Sequence, residues 1–457
     1  MVLTRSPISA GSPASSGCEA RDDRTLLDTG EVIMNPASYW LDTAPPFTGS
    51  SPEPVSGRYD VVVIGGGFTG LSAARTLARL GVSVALLEAG KVASEASGRN
   101  GGHCNNGLAH DFSATAAAHG IDRAREMYRA FDAGVDLVEE IVRSEAIDCH
   151  FVRSGKLKLA AKPAHFDSMR RARDVLAREV DDDTAIIERG DLRAEIGSDG
   201  YHGGLLYRRS AMLHVGKFGQ GLAGVAARAG ATIFEDAAVT AIEELAGQYR
   251  IGTIRGTVVA DKVILATGAS QQGPFSWFRR RLVPIGSFII VTEPLGENLA
   301  RDIMPGGRTC TTTQNIGNYF RLTPDNRLVW GGRARFAMSS PRSDLKSGEI
   351  LQRQLRAVFP QIADCRIDYC WGGLVDMTQD RLPRSGTHRG MHFAMGFSGH
   401  GVQMSTYMGD LMAREAVGQD VANPWRDLDW SAVPFHFGKP WFLPFVGLYY
   451  RAKDRWS

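Results

Sequence analysis

The chain has 457 residues, 43% of them hydrophobic and 22% charged, with a formal net charge of +2 at pH 7. That length can bury a large core and suits two domains rather than one. A charge so close to balance leaves no electrostatic footprint for nucleic acid, and no apolar run approaches the ~20 residues needed to span a bilayer.

Residues 1–35 are rich in Ser, Pro, Gly and charge. They are expected to form a disordered N-terminal tail and lack the apolar core of a secretion signal. Met34 reads as the natural start, because NPASYWLDTAPP after it is the first stretch with aromatics to pack. The six cysteines (Cys18, Cys104, Cys149, Cys310, Cys365 and Cys370) are scattered without a CxxC pair. They read as the reduced thiols of a cytoplasmic protein, not as a disulfide framework or a metal site.

The stretch from Tyr59 to Glu88 organises the rest of the chain. Val61 to Ile64 is a β-branched run suited to a strand buried on both faces. Gly65, Gly67 and Gly70 then give the G-x-G-x-x-G spacing around Phe68 and Thr69. The first glycine allows the tight turn, the second admits a pyrophosphate and the third lets the helix pack on the strand. Helical spacing through Leu71, Ala74, Leu77 and Leu80 stops at Gly81. A second strand, Val82 to Leu87, leads to Glu88 and Ala89. Glu88 lies about 20 residues beyond the glycines, where a carboxylate accepts hydrogen bonds from a ribose and repels a 2′-phosphate. The helix N-terminus offers free N–H groups to the pyrophosphate.

Small residues crowd the next segment, Ser97, Gly98, Arg99, Asn100, Gly101 and Gly102. A glycine-rich loop turning back here suits a backbone that passes close to a flavin, with Arg99 as a candidate phosphate contact. Residues 112–145 are helical by pattern, 151–160 alternate as a strand around a bulge at Gly155, and 164–179 form another helix. An amphipathic helix over 215–230 precedes strands at 231–234 and 238–242, the latter including Val239, and then a hairpin around Gly247 and Gly256. The buried strand 261–269 runs into Thr267 and Gly268, at a sheet edge where ligands are met.

From 277 to 360 the pattern is antiparallel, with strands at 288–292, 318–322 and 327–331 and a turn at Pro324–Asn326. Tyr319 and Arg321 are two apart and share one face, so they are candidates to orient a substrate. Met391 to Met395 forms a second strand followed by Gly396, Gly399, His400, Gly401, Val402 and a helix. That helix N-terminus can offer charge stabilisation to a polarised oxygen. His400 has no second histidine at metal-ligand spacing. In the aromatic tail 426–457, Pro440 and Pro444 are expected to break any long amphipathic helix. Packing across the surface, or a homodimer contact, is the expectation there.

VVVIGGGFTGLSAA (61–74), ASGRNGG (96–102), ILATGA (264–269), YFRLTPDNRLVWGG (319–332) and GFSGHGV (396–402) together resemble the D-amino-acid-oxidase-like family of FAD-dependent amine oxidoreductases. SYW near residue 38, IDYCWGG and the closing LYYRAKDR bring the likeness closest to the gamma-glutamylputrescine oxidases. The resemblance implies an α/β chain, α+β overall, with a Rossmann-like FAD-binding domain and a discontinuous, mostly antiparallel substrate domain. The former takes residues 58–110, 200–275 and 365–425, and the latter 111–199 and 276–364. It implies noncovalent FAD held by Gly65, Gly67, Gly70 and Glu88. Ser97–Gly102 and Gly399–Val402 would flank the flavin, with Val239 and Gly268 completing the pocket. Amino-acid oxidases of the family clamp a carboxylate with an arginine on the hairpin strand, which Arg321 approaches in a shifted register.

The expected reaction is oxidation of an amine C–N bond by hydride transfer, hydrolysis of the imine and reduction of dioxygen to hydrogen peroxide. The amine proton would be lost to water or with the aid of His103 or Tyr319. The alternatives are a dehydrogenase using another electron acceptor, or a noncatalytic flavoprotein subunit.

Overall fold

The computed structural model describes residues 34–456. The expectation for the N-terminal tail lies outside them, apart from Met34 and Asn35. Two eight-stranded sheets and a two-stranded ribbon organise the chain.

The first sheet is built on Arg58–Ile64, which pairs in parallel with Val84–Leu87 on one side and Gly256–Leu265 on the other. Parallel pairing leaves both faces of this strand to be covered, and its side chains divide accordingly. Val61 and Val63 face a core shared with the helices Phe68–Arg79, Val215–Arg228 and Gly401–Ala416. Val62 and Ile64 face the antiparallel strands Val239–Leu245 and Gln248–Thr253. The sheet continues through Met391–Met395, parallel to Gly256–Leu265. Both glycine junctions therefore open at the same carboxyl edge. This is a Rossmann-like arrangement, as the sequence predicts.

The second sheet runs in the order Ile367–Met377, Val283–Thr292, Leu328–Gly332, Asn318–Leu322, Thr309–Thr312, Lys156–Leu159, Gly204–Tyr207, Thr184–Ile187. All neighbours are antiparallel except Lys156–Leu159 against Thr309–Thr312. One face carries Phe288, Ile290, Phe320 and Trp330 beneath the helix Pro341–Val358. The other carries Ile289, Val291, Val329 and Trp371 into the core of the first sheet. Period-2 alternation thus makes this sheet the wall between two cores.

Several boundaries differ from those expected. Gly204–Tyr207 and Ile367–Met377, assigned by sequence to the nucleotide-binding region, hydrogen-bond into the second sheet. Their partners are distant in sequence, and local pattern cannot choose between sheets. The predicted helix 112–145 is two helices, Phe112–His119 and Ile121–Ser144, divided at Gly120 with φ +87°. The strand predicted over 151–160 is regular only at Lys156–Leu159.

The tail also departs from expectation. Leu443–Trp456 is a helix despite Pro444, because proline in the first turn replaces an N–H that has no intrahelical partner. Leu443 packs with Ile285, Phe336 and Met377, with Val446 and Tyr450 against them. The carboxylate of Asp454 accepts from the backbone N–H groups of Asn315 and Ile316. Trp441, Phe445, Leu448 and Tyr449 remain more than 60% exposed.

The close approach of helix Phe68–Arg79 to its strand rests on Gly70, where a Cβ would overlap the carbonyl oxygen of Gly65. Gly70→Ala is therefore expected to cost about 1–3 kcal/mol through overpacking, read as a lower melting temperature and weaker retention of bound nucleotide.

Candidate active site

The first glycine junction presents a helix N-terminus capped by Gly67, where the Phe68 N–H donates to Ser97 Oγ at 3.0 Å. Glu88 stands across the turn, its carboxylate accepting from Gly66 N at 2.6 Å and Gly90 N at 2.8 Å. Burial raises the Glu88 pKa against the lowering effect of those N–H donors. Gly65 adopts φ +109°. Thr267 and Gly268 follow the end of the neighbouring strand, Gly256–Leu265, and Val239 is buried in the adjoining core.

Ser97–Gly102, read from sequence as a loop, begins with one helical turn, Ala96–Arg99. Every carbonyl from Gly98 to Gly102 accepts a hydrogen bond from a different part of the chain. Ser38 Oγ donates to Gly98 O at 2.7 Å, Trp371 Nε1 to Arg99 O at 3.0 Å and Trp40 Nε1 to Asn100 O at 2.7 Å. Arg321 Nε donates to Gly101 O at 3.0 Å and Leu213 N to Gly102 O at 3.1 Å. At Gly102, φ is +72° and a Cβ would overlap Arg321 Nη2.

The two hairpin residues do share a face, but they have different surroundings. Arg321 is 2% exposed, donates also to Leu213 O at 2.7 Å and lies 4.8 Å from the centre of the Trp40 ring. Its guanidinium is thus committed to backbone carbonyls and an aromatic face, whereas the sequence suggested a carboxylate clamp. Arg99, proposed as a phosphate contact, donates its Nε to Gly372 O at 2.7 Å. Tyr319 is hydrogen-bonded through its hydroxyl to Ser287 Oγ at 2.9 Å and packs its ring edge-on to His103, 5.4 Å between centroids.

His103 leads the short strand His103–Cys104 paired with Ala211–Met212. Burial, reinforced by Arg321 and Lys156, pushes its pKa down to about 3, so the ring is neutral at pH 7. His400 caps Gly401–Ala416 and is likewise pushed down to about 3 by burial, with Lys156, Lys158, Arg333 and Arg381 adding to the effect. Gly399 has φ +95°, and Val402 is buried. Among the described residues, His103 Nε2, His400 Nδ1 and Gln403 Oε1 are buried without a hydrogen-bond partner. Such groups are costly unless a ligand meets them.

Asp376 escaped the sequence reading although WGGLVD contains it. Its carboxylate accepts from Gly396 N at 2.7 Å, joining the second sheet to the second glycine loop. No local motif marks it, since its partner is 20 residues away. Ser38, Trp40 and Trp371 were similarly invisible as loop supports, and Ser287 as the partner of Tyr319, because their roles depend on contacts distant in sequence.

These features fit FAD: a capped helix N-terminus and Glu88 for its ADP half, and two glycine loops with orphaned polar atoms for its ring system. The chain matches the FAD dependent oxidoreductase family, DAO, over residues 60–415. The protein belongs to this family. It is 31% identical to gamma-glutamylputrescine oxidoreductase of Escherichia coli K12 over 401 residues, 87% of this chain and 93% of that one. It is 32% identical to the probable oxidoreductase OrdL of Haemophilus influenzae, over 79% of this chain and 83% of the relative. The crystal structure of glycine oxidase from Geobacillus kaustophilus superposes with a TM-score of 0.66 at 22% identity, covering 83% of this chain and 98% of that one.

This DAO-family member is an FAD-dependent oxidoreductase acting on C–N groups of amines or amino acids. Neither Cys365 nor Cys370, which precede the second glycine loop, packs beside the Gly98–Gly102 loop. Cys370 points its thiol to Asp344 O and lies in the core beneath helix Pro341–Val358, where Cys365 also packs, on the opposite side of the second sheet from Trp371 and the Gly98–Gly102 loop. Among the described residues no helix is long and apolar enough to cross a membrane, and no side-chain group is arranged to hold a metal ion.

Two measurements probe this architecture. Arg321→Met leaves two buried carbonyls without a donor, each worth about 1–3 kcal/mol, so FAD affinity should fall at least tenfold with secondary structure retained in circular dichroism. Burial raises the Asp376 pKa from 3.8 to about 6, against the lowering effect of nearby N–H donors. A carboxyl raised on folding stabilises the fold below its unfolded value and loses that contribution as pH rises through the folded one. The melting temperature of Asp376→Asn relative to the parent should therefore climb from about pH 4 to about pH 6 and level off above.

Proposed function

We propose that this protein oxidises the C–N bond of an amine of the gamma-glutamylputrescine kind, with dioxygen as electron acceptor. The observation that carries this reading is the apposition of Gly101, Gly102, Tyr319 and neutral His103. Tyr319 lies against Gly101, and its ring meets His103 edge-on. The kinship with the E. coli enzyme, named for gamma-glutamylputrescine, supports the choice of substrate.

When bound, FAD supplies the two-electron chemistry by accepting hydride from the carbon that bears the nitrogen. The chain's own residues orient the amine and exclude water around it. Gly65, Gly67, Phe68, Thr69, Gly70, Glu88 and Ala89 hold the ADP half. Ser97–Gly102 and Gly399–Val402 would flank the ring system, and Val239, Thr267 and Gly268 would complete the pocket.

His103 Nε2 has no partner among the described residues, and the ring is neutral. It is placed to orient the amine as a neutral hydrogen-bonding group, and the amine proton is lost to water. Tyr319 holds its hydroxyl on Ser287, and burial pushes its pKa up to about 12, so it orients substrate as a neutral hydrogen-bonding group. Arg321 acts through the loop it supports rather than on the substrate. The helix N-terminus at Gly401 would supply positive dipole and N–H groups beside the ring system. Water then hydrolyses the imine, and dioxygen takes the electron pair and two protons as hydrogen peroxide.

The described cysteines are all unpaired, which supports a reducing, cytoplasmic setting. The exposed aromatic tail suits a contact between two copies. Anaerobic titration of the FAD-loaded protein should bleach the flavin band with gamma-glutamylputrescine, and air should restore it within the turnover time. Bleaching by glycine, sarcosine or D-alanine alone would replace the substrate. Slow recovery in air would replace dioxygen with another acceptor.

A further inference from the structure

Three cations associated with the second sheet make no ion pair among the described residues, Lys158 being exposed and Arg333 and Arg381 half-buried. Arg333 follows the strand Leu328–Gly332, Lys158 lies in Lys156–Leu159, and Arg381 sits in the turn after Ile367–Met377. Other interior arginines are matched: Arg327 with Asp325 and Asp368, Arg308 with Glu195, Arg384 with Asp380. Among the described residues, Arg333, Arg381 and Lys158 have no ion pair. The polar contact that Arg333 makes is from Nη2 to Met377 Sδ at 3.7 Å.

The three charges share one region. Lys158 and Arg381 line a cavity of about 360 Å³ together with His110, His165, Tyr207 and Thr313. Arg381 lies near enough to Arg333 to disfavour its protonation further, on top of burial, and all three act on His400. Asp111 also lines the cavity and favours the charge of Lys158, but it caps the helix Phe112–His119 through Ala114 N at 3.0 Å. Like charges gathered in one region without an ion pair repel one another. A ligand anion relieves that penalty.

The place of the cavity sets the distance from the reacting centre. Lys156 and Lys158 share one face of their strand, about 7 Å apart. Lys156 donates to Asn106 O at 2.7 Å and its charge bears on His103, while Lys158 opens into the cavity. The unpaired charge of Lys158 thus lies one step along the strand beyond Lys156, with His400 of the second glycine loop within its influence.

We infer that Lys158, Arg381 and Arg333 form an anion subsite that takes a carboxylate at the far end of the amine substrate. The inference rests on the amine reading for its substrate. It assigns specificity to Lys158 and Arg381, which line the cavity, and to Arg333 beside them, and not to the hairpin arginine, which donates to two backbone carbonyls.

Glutarate serves as the probe, with its binding to the FAD-loaded protein measured by calorimetry and by thermal shift. It is expected to bind the parent and to bind Arg333→Met and Lys158→Met at least tenfold more weakly, with the parent's affinity falling as salt rises. Without glutarate, Arg333→Met should melt no lower than the parent, since an unpaired enclosed charge has been removed. With turnover, the variants should raise KM for gamma-glutamylputrescine and leave KM for putrescine unchanged. Failure of glutarate to bind, or equal binding to parent and variants, overturns the subsite even if amines bleach the flavin. Arg333-dependent glutarate binding in a protein that no amine bleaches keeps the subsite and overturns the amine reading.

Discussion

The structure depends on the need to satisfy five consecutive carbonyls, Gly98 to Gly102, in the interior between two sheets. A buried carbonyl without a donor costs free energy comparable to a lost hydrogen bond, and the segment's own donors are turned elsewhere, Arg99 Nε to Gly372 O and Asn100 Nδ2 to Ala96 O and Ser97 O. The donors arrive from Ser38, Trp40, Trp371, Arg321 and Leu213. Those residues span the N-terminal segment, the second sheet and the approach to helix Val215–Arg228. Fixing this loop therefore also fixes how the two sheets meet.

The same requirement explains why Arg321 is buried. Its guanidinium supplies donors to two carbonyls and rests on Trp40, whereas a lysine would offer one point charge without the planar fork. Arg333 lies beyond the next strand of the sheet and has no comparable commitments. One arginine thus serves the architecture and the other is left with unused charge. A second tie joins Asp376 to Gly396 and Thr378 N to Ser398 Oγ, at 3.2 Å. It couples the turn that carries Arg381 to the loop before Gly401–Ala416, so the substrate side and the cofactor side are held in one frame.

Much of the fold is legible in the chain because its signals are local. The β-branched run at Val61, the glycine spacing after it, Glu88 at the end of the next strand and the second junction at Gly396–Val402 each report a backbone geometry fixed by neighbouring residues. The alternation that puts Tyr319 and Arg321 on one face is equally local. What that face meets is not. Arg321 looks the same in sequence whether it meets a substrate carboxylate or the carbonyl of Gly101, 220 residues away.

The sequence by itself determined the nucleotide-binding junctions, the family and the cofactor, since these rest on spacings of a few residues and on resemblance that spans the chain. Only the tertiary structure decided that Gly204–Tyr207 and Ile367–Met377 join the second sheet, that Arg321 supports a loop and that Lys158, Arg333 and Arg381 make no ion pair among the described residues. The reason is that strand partners and counter-ions are chosen by long-range packing: a residue's sequence states its charge and its face, and the fold alone supplies what lies opposite.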